Sequence, residues 1–272
     1  MRLALVGTGA IGTYLLDGIA AGNAGPIDVV ALADLPARSE ELARLAARVG
    51  ASWHTDSLAV LESTPDVVVE AASPGVVREY AGRWLAGGAN VLTMSVGALT
   101  DPGLLADLAA AADRANRHVL VPSGAVGGLD VLRAARIGGL DTVELRTTKP
   151  PRALRGAPYL AAHRIDVDAF HGPTVVFDGP ATEAVVGFPA NLNVVAALSL
   201  AGIGPERTRV VLVADPTGER NIHEVTARGA FGELSLRLEN RPTPGNPKTS
   251  LLAPLSALAL LRRFSEPIQV GS

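Results

Sequence analysis

The chain has 272 residues, 48% of them hydrophobic, and 24 basic against 27 acidic side chains give it a formal net charge of -3. This is the composition of a globular chain of one or two domains, with no extended basic surface for nucleic acid and with apolar runs that break well short of the ~20 residues a membrane span requires. The absence of cysteine excludes disulfides, iron–sulfur clusters, thiolate metal sites and cysteine nucleophiles together; no metal site is expected, and a cytoplasmic location is.

Residues 1–6 are apolar but lack the basic start, long core and cleavage site of a secretory signal, so they read as a first strand. Short β-branched runs follow at 29–33, 51–53, 67–70, 90–93 and 119–121, separated by amphipathic helical patterns at 11–21, 40–49, 78–86 and 103–116. Such alternation is the sequence form of a parallel sheet covered by helices on both faces. The first strand runs into Gly7-Thr8-Gly9-Ala10-Ile11-Gly12. Gly7 permits the tight turn, Gly9 lets backbone approach a pyrophosphate, and Gly12 lets the helix pack closely on the sheet, while the helix amino terminus, with Ala10 and Ile11, faces the phosphate charge. Asp34 ends the second strand 22 residues after Gly12, close to the interval at which an acid accepts the adenosine ribose hydroxyls of NAD; the alternative is a solvated turn aspartate. Arg38 either holds the 2′-phosphate of NADP or starts a helix facing water. NAD is favoured over NADP. These features define an amino-terminal Rossmann dinucleotide-binding domain. Its later strand ends carry Ala72 and Ser73, Ser95 and Ala125, small residues that either line a flat ring or simply punctuate strand-to-helix turns.

Near residue 140 the texture changes. Runs at 142–148, 209–214, 223–228 and 233–239 alternate with period two and predict antiparallel pairing. The expected fold is therefore α/β, a Rossmann domain over 1–124 and a second α+β domain on a largely antiparallel sheet over 125–246. A Pro-rich connector, 241–247, leads to a last helix within 247–272 that returns to the first domain. Pro254 inside that helix predicts a later start or a kink.

The second half supplies a different chemistry. Asn191 precedes an apolar helix and either caps it or binds a ligand. Of five histidines, His223 stands out, with Asn221 on the same strand face and Asp215 across a turn as an orienting partner. An imidazole of ordinary pKa, ~6.5, serves there as both acid and base. The chain has only two lysines, Lys149 and Lys248. Where arginine is the default cation, a lysine marks a place that wants a compact ammonium, here for a substrate carboxylate; the alternative is an ordinary exposed lysine beside a turn.

The glycine loop, Glu70-Ala71-Ala72-Ser73, Pro122-Ser123-Gly124-Ala125, Thr148-Lys149-Pro150-Pro151, Phe188-Pro189-Ala190-Asn191, Asn221-Ile222-His223-Glu224 and Asn246-Pro247-Lys248-Thr249, taken in order, resemble the L-aspartate dehydrogenases over nearly the whole chain. The resemblance implies a two-domain homodimer that interconverts L-aspartate with iminoaspartate, or oxaloacetate plus ammonia, using NAD or NADP. It places His223 at the family's active-site histidine, and Ala125 and Asn191 at its cofactor-binding alanine and asparagine. A reductase of another small amino or keto acid, such as methylaspartate or a semialdehyde, and a non-catalytic dinucleotide sensor are the competing readings.

Overall fold

The computed structural model describes residues 1–189, 193–243 and 246–271, with backbone alone at 246–248. The chain divides into two compact units: Met1–Pro122 with Pro254–Gln269, and Ser123–Ala253 with the segment from Val270 onward.

The first unit holds strands β1 (Arg2–Val6), β2 (Asp28–Ala33), β3 (Ser52–His54), β4 (Val67–Glu70), β5 (Asn90–Thr93) and β6 (Val119–Leu120) in one sheet, ordered β3-β2-β1-β4-β5-β6. Every pairing is parallel, so all six strands present their carboxyl ends at one edge, where open α/β sheets bind ligands. Helices α1 (Ala10–Ala20), α2 (Ser39–Val49), α3 (Pro74–Ala86) and α4 (Pro102–Ala115) make the crossovers. The two middle strands are almost wholly buried, which explains their continuous apolar runs. Helix α3 begins at Pro74, ahead of the start at 78 expected from periodicity, because Ser73 Oγ accepts from the Val76 amide (3.3 Å) and proline suits a first turn.

Two glycines in the first turn are sterically required. Gly7 has φ +92°, and a Cβ there would lie 2.6 Å from the Ala71 carbonyl oxygen. On Gly12, a Cβ would collide with the Gly7 carbonyl oxygen.

In the second unit, α5 (Leu129–Gly138) precedes β7 (Leu140–Lys149), short helices α6 (Pro151–Leu154) and α7 (Pro158–Ala162), β8 (Thr174–Pro180), α8 (Ala181–Gly187), α9 (Asn193–Ala201), β9 (Arg209–Ala214), β10 (Asn221–Gly229) and β11 (Gly232–Asn240). The sheet order is β11-β10-β7-β9-β8. Three of its pairings are antiparallel, as the period-two runs predicted; β7 with β9 is parallel, because two strands separated by four intervening helices need no hairpin. One face is buried: Val143, Leu145, Val210, Leu212, Val225 and Ala227 join Leu132, Val195 and Leu198 from α5 and α9 in a single core. The other face carries ion pairs such as Arg237 with Glu224 (2.9 Å) and with Glu239 (2.8 Å).

The connector expected at 241–247 is partly paired: β12 (Pro242–Thr243) and β13 (Asn246–Ser250) form a small antiparallel ladder. Helix α10 (Leu252–Arg262) follows. Pro254 falls in its first turn, where no intrahelical hydrogen bond is lost, so neither a kink nor a late start is needed. Leu258 packs over Gly18 on α1, at the spot a Cβ would occupy.

Because Gly12 abuts main chain rather than a movable side chain, Gly12→Ala is expected to destabilise the first unit by about 1–3 kcal/mol or more, and to abolish NADH binding. Thermal unfolding and NADH fluorescence titration test this; an unchanged melting temperature with intact binding would contradict the packing described.

Candidate active site

At the carboxyl edge of the first sheet, the glycine loop is tied to the end of β2. Asp34 Oδ2 accepts from the Thr8 amide (2.8 Å) and hydroxyl (2.6 Å), and Oδ1 accepts from the Leu35 amide (2.8 Å). Burial opposes ionisation of Asp34, but these bonds and the Arg38 guanidinium outweigh it and hold the carboxyl below its usual range. Arg38 reaches Asp34 (3.4 Å), the Thr8 carbonyl (3.0 Å) and Glu41 (2.8 Å), so it borders the loop instead of facing water alone.

Gly9 precedes helix α1 and offers no capping side chain, and a Cβ on Gly9 would find nothing nearer than an Arg38 nitrogen at 4.0 Å. The opening beside Gly9 and the uncapped amides of Ala10, Ile11 and Gly12 fit a pyrophosphate. The residues present therefore suit a dinucleotide.

The small residues at the next strand ends are organised by Glu70, which sequence reasoning passed over as part of a motif. Glu70 is fully buried at the end of β4. Its carboxylate accepts from the Ala72 amide (2.8 Å), the Ser95 hydroxyl (2.8 Å), the Ser95 amide (3.1 Å) and the Thr93 hydroxyl (2.8 Å). Expected ligand contacts at Ala72 and Ser95 are thus committed to Glu70 through these donors, and Ser73 Oγ to the cap of α3. These residues shape the edge by fixing its loops. A lone acidic residue in an apolar strand was the available signal.

A second polar cluster lies in the other unit, at the end of the buried face of β7 and β10. Register places His223 opposite Thr147, and period-two alternation puts Lys149 and Asn221 next along that same face. All four side chains are buried, Thr147 completely. Thr147 Oγ1 lies 3.0 Å from His223 Nδ1. Asp215, expected as the orienting partner, instead accepts from the amide (2.9 Å) and hydroxyl (2.7 Å) of Thr217, the ordinary closure of a tight Asx turn. Nearby, Asn240 donates to the Ala125 carbonyl (2.9 Å), fixing the loop that carries Ala125. Thr147 and Asn240 were not legible as site residues, since cross-strand register is not written in either strand alone. Asn191 lies outside the described residues, as does the side chain of Lys248.

Burial sets the protonation here. The expected ordinary imidazole does not survive it: desolvation, aided by the charge of Lys149, pushes His223 down to about 3, so the ring is neutral throughout the physiological range. Desolvation also lowers Lys149 to about 8, a preference for the neutral amine of roughly 3 kcal/mol over an exposed lysine.

The glycine loop of the first unit and the buried polar row of the second are, each by itself, features of a nicotinamide dinucleotide-dependent dehydrogenase. The comparisons with known proteins take the class further. Residues 7–122 match the NAD-binding domain of homoserine dehydrogenase, and residues 130–264 match the carboxyl-terminal domain of aspartate dehydrogenase. An L-aspartate dehydrogenase of Methanocella arvoryzae is 45% identical, covering 100% of this chain and 99% of its own. That of Methanosarcina mazei is 40% identical over the full length of both. The crystal structure of aspartate dehydrogenase from Thermotoga maritima is similar with a TM-score of 0.77 at 28% identity, covering 100% of this chain and 99% of its own. The chain belongs to the L-aspartate dehydrogenase family. Among the described residues no helix is long and apolar enough to cross a membrane.

A buried neutral histidine has a consequence for stability. On acidification the unfolded chain takes up the proton at ~6.5 while the folded chain resists it, so stability falls as pH drops from about 6.5 towards 3. His223→Gln is expected to remove this contribution, up to about 1.4 kcal/mol per pH unit. Urea unfolding at pH 7, 6 and 5 measures it; parallel losses in wild type and variant would show that His223 charges freely in the folded state.

Proposed function

We propose that this chain interconverts L-aspartate with iminoaspartate, and hence with oxaloacetate plus ammonia, with NAD preferred over NADP. The observation that carries the substrate side is the buried row of Thr147, His223, Asn221 and Lys149, a set of donors at the end of an otherwise apolar face. A small dicarboxylate with one amine carries the groups that such a row of donors would meet. The preference for NAD rests on Asp34, whose carboxylate stays ionised beside the glycine loop and repels a 2′-phosphate. NADP is tolerated because Arg38 stands next to it.

When bound, the dinucleotide accepts hydride at its nicotinamide ring. Gly7, Gly9, Ala10, Ile11 and Gly12 hold its pyrophosphate, and Ala125 and Asn191 are proposed to contact it further along. His223 is the proposed catalytic residue at the substrate's reacting centre: with Nδ1 committed to Thr147, Nε2 is the nitrogen that meets the amine or imine. Asn221 orients the substrate, and Lys149 and Lys248 are the cations at hand for its carboxylates. The active species is proposed to be a homodimer.

The assay is consumption of NADH and NADPH, followed separately, with oxaloacetate and ammonium. Oxidation that needs both substrates, with a kcat/KM for NADH at least about tenfold above that for NADPH, is expected, since one charged hydrogen bond is worth ~1.5–3 kcal/mol. Absence of turnover with either cofactor, alongside turnover of another keto acid, would contradict the substrate assignment; an NADPH preference would contradict the reading of Asp34.

A further inference from the structure

Packing alone does not call for an acid at the end of β4. The strand is otherwise Val67, Val68 and Val69, all buried, and a fourth apolar side chain would continue it. Glu70 stands there instead, with its two oxygens partnered in a pattern that suits a carboxylate and little else. Oε1 accepts from the Ala72 amide and the Ser95 hydroxyl, both at 2.8 Å. Oε2 accepts from the Thr93 hydroxyl (2.8 Å) and the Ser95 amide (3.1 Å). Each oxygen thus meets one hydroxyl, which turns to donate or accept, and one main-chain N–H, which only donates. A glutamine in either flip would aim its NH2 at one of the two amides and leave that donor buried without a partner.

The two amides belong to the turns that follow β4 and β5. Strand order reverses at β1, which has β2 on one side and β4 on the other, and a dinucleotide lies across such a point at the carboxyl ends of the strands. With Asp34 at the end of β2 on the adenosine side, the nicotinamide half extends over β4 and β5. The peptide joining Ala71 to Ala72 stands 2.6–2.7 Å from where a Cβ on Gly7 would lie, so the first of these turns lies against the glycine loop. The two sides of the crevice are nevertheless tied separately. Thr8 is fixed by Asp34 and Arg38, and Gly7 donates to the Ala33 carbonyl (2.8 Å), all towards β2. The turns after β4 and β5 share Glu70.

We propose that Glu70 is a positioning residue for the nicotinamide half of the cofactor: one carboxylate sets both turns in a single arrangement, so the ring end meets a preformed surface. The proposal rests on the dinucleotide reading and not on the substrate. Glu70 acts through other groups, being fully buried, whereas the Ala72 side chain whose amide it holds is exposed at the edge. Order imposed before binding lowers the cost of ordering on binding, and a turn released from Glu70 loses that advantage where the nicotinamide ring lies.

Calorimetric titration of Glu70→Gln with NADH and with ADP-ribose tests this, because ADP-ribose keeps the adenosine and diphosphate but lacks the nicotinamide ring. The Kd for NADH is expected to rise at least about tenfold while that for ADP-ribose stays within about twofold of wild type. Thr93→Val takes one donor from Oε2 at a position that is itself 0% exposed and so touches no ligand. It is expected to weaken NADH selectively by a smaller factor, and it carries the test should Glu70→Gln not fold. Equal weakening of NADH and ADP-ribose would show that Glu70 only holds the domain together, and unchanged affinity for both would show that the turns need no brace; either result overturns the proposal. Wild-type protein that bound neither ligand would instead sink the dinucleotide reading, and the proposal with it.

Discussion

Dehydration at one end of a sheet face governs what the second unit can do. The buried face of β7 and β10 is apolar through Val143, Leu145, Val225 and Ala227, then turns polar at Thr147, Lys149, His223 and Asn221 without opening to water. In such surroundings ionisation is costly unless a counter-charge is close. His223 responds by staying neutral, Lys149 by softening its hold on a proton. The strands thus do more than position side chains; they set protonation states through what they exclude.

The first unit solves a different problem, holding carboxyl groups in place. Asp34 and Glu70 each sit at a strand end and each collects several donors from the chain's own loops. Asp34 pins the glycine loop through Thr8, leaving the uncapped start of α1 open for phosphate. Glu70 pins the next two strand ends through Ala72, Thr93 and Ser95. A carboxylate satisfied by four donors is a rigid brace, so the ligand edge is held by buried hydrogen bonds as well as by packing. Family membership agrees with this division, one profile matching each half of the chain.

Much of this was legible beforehand because it depends on local rules. The parallel sheet and the glycine turn follow from short-range sterics and alternation, and the structure shows them. The carboxyl-terminal sheet was recognisable by its period, but the parallel pairing of β7 with β9 and the bonding of Thr147 to His223 depend on register between distant segments. No periodicity in either strand encodes that register. Asp215 looked like the partner of His223 because it is close in sequence; the structure has one of its carboxylate oxygens close the turn with Thr217 instead. The ordinary pKa expected for His223 was wrong for a related reason: spacing identifies a histidine, whereas burial decides its charge.

The central claim is that the histidine of this site is a buried, uncharged group. ¹⁵N NMR of the imidazole nitrogens in histidine-labelled protein, titrated from pH 8 to pH 5 and assigned with a His223 variant, examines it most directly. The account predicts that the two nitrogens of His223 keep the shifts of a neutral ring across the whole range. Convergence of both towards imidazolium values, with a midpoint near ~6.5, would contradict it.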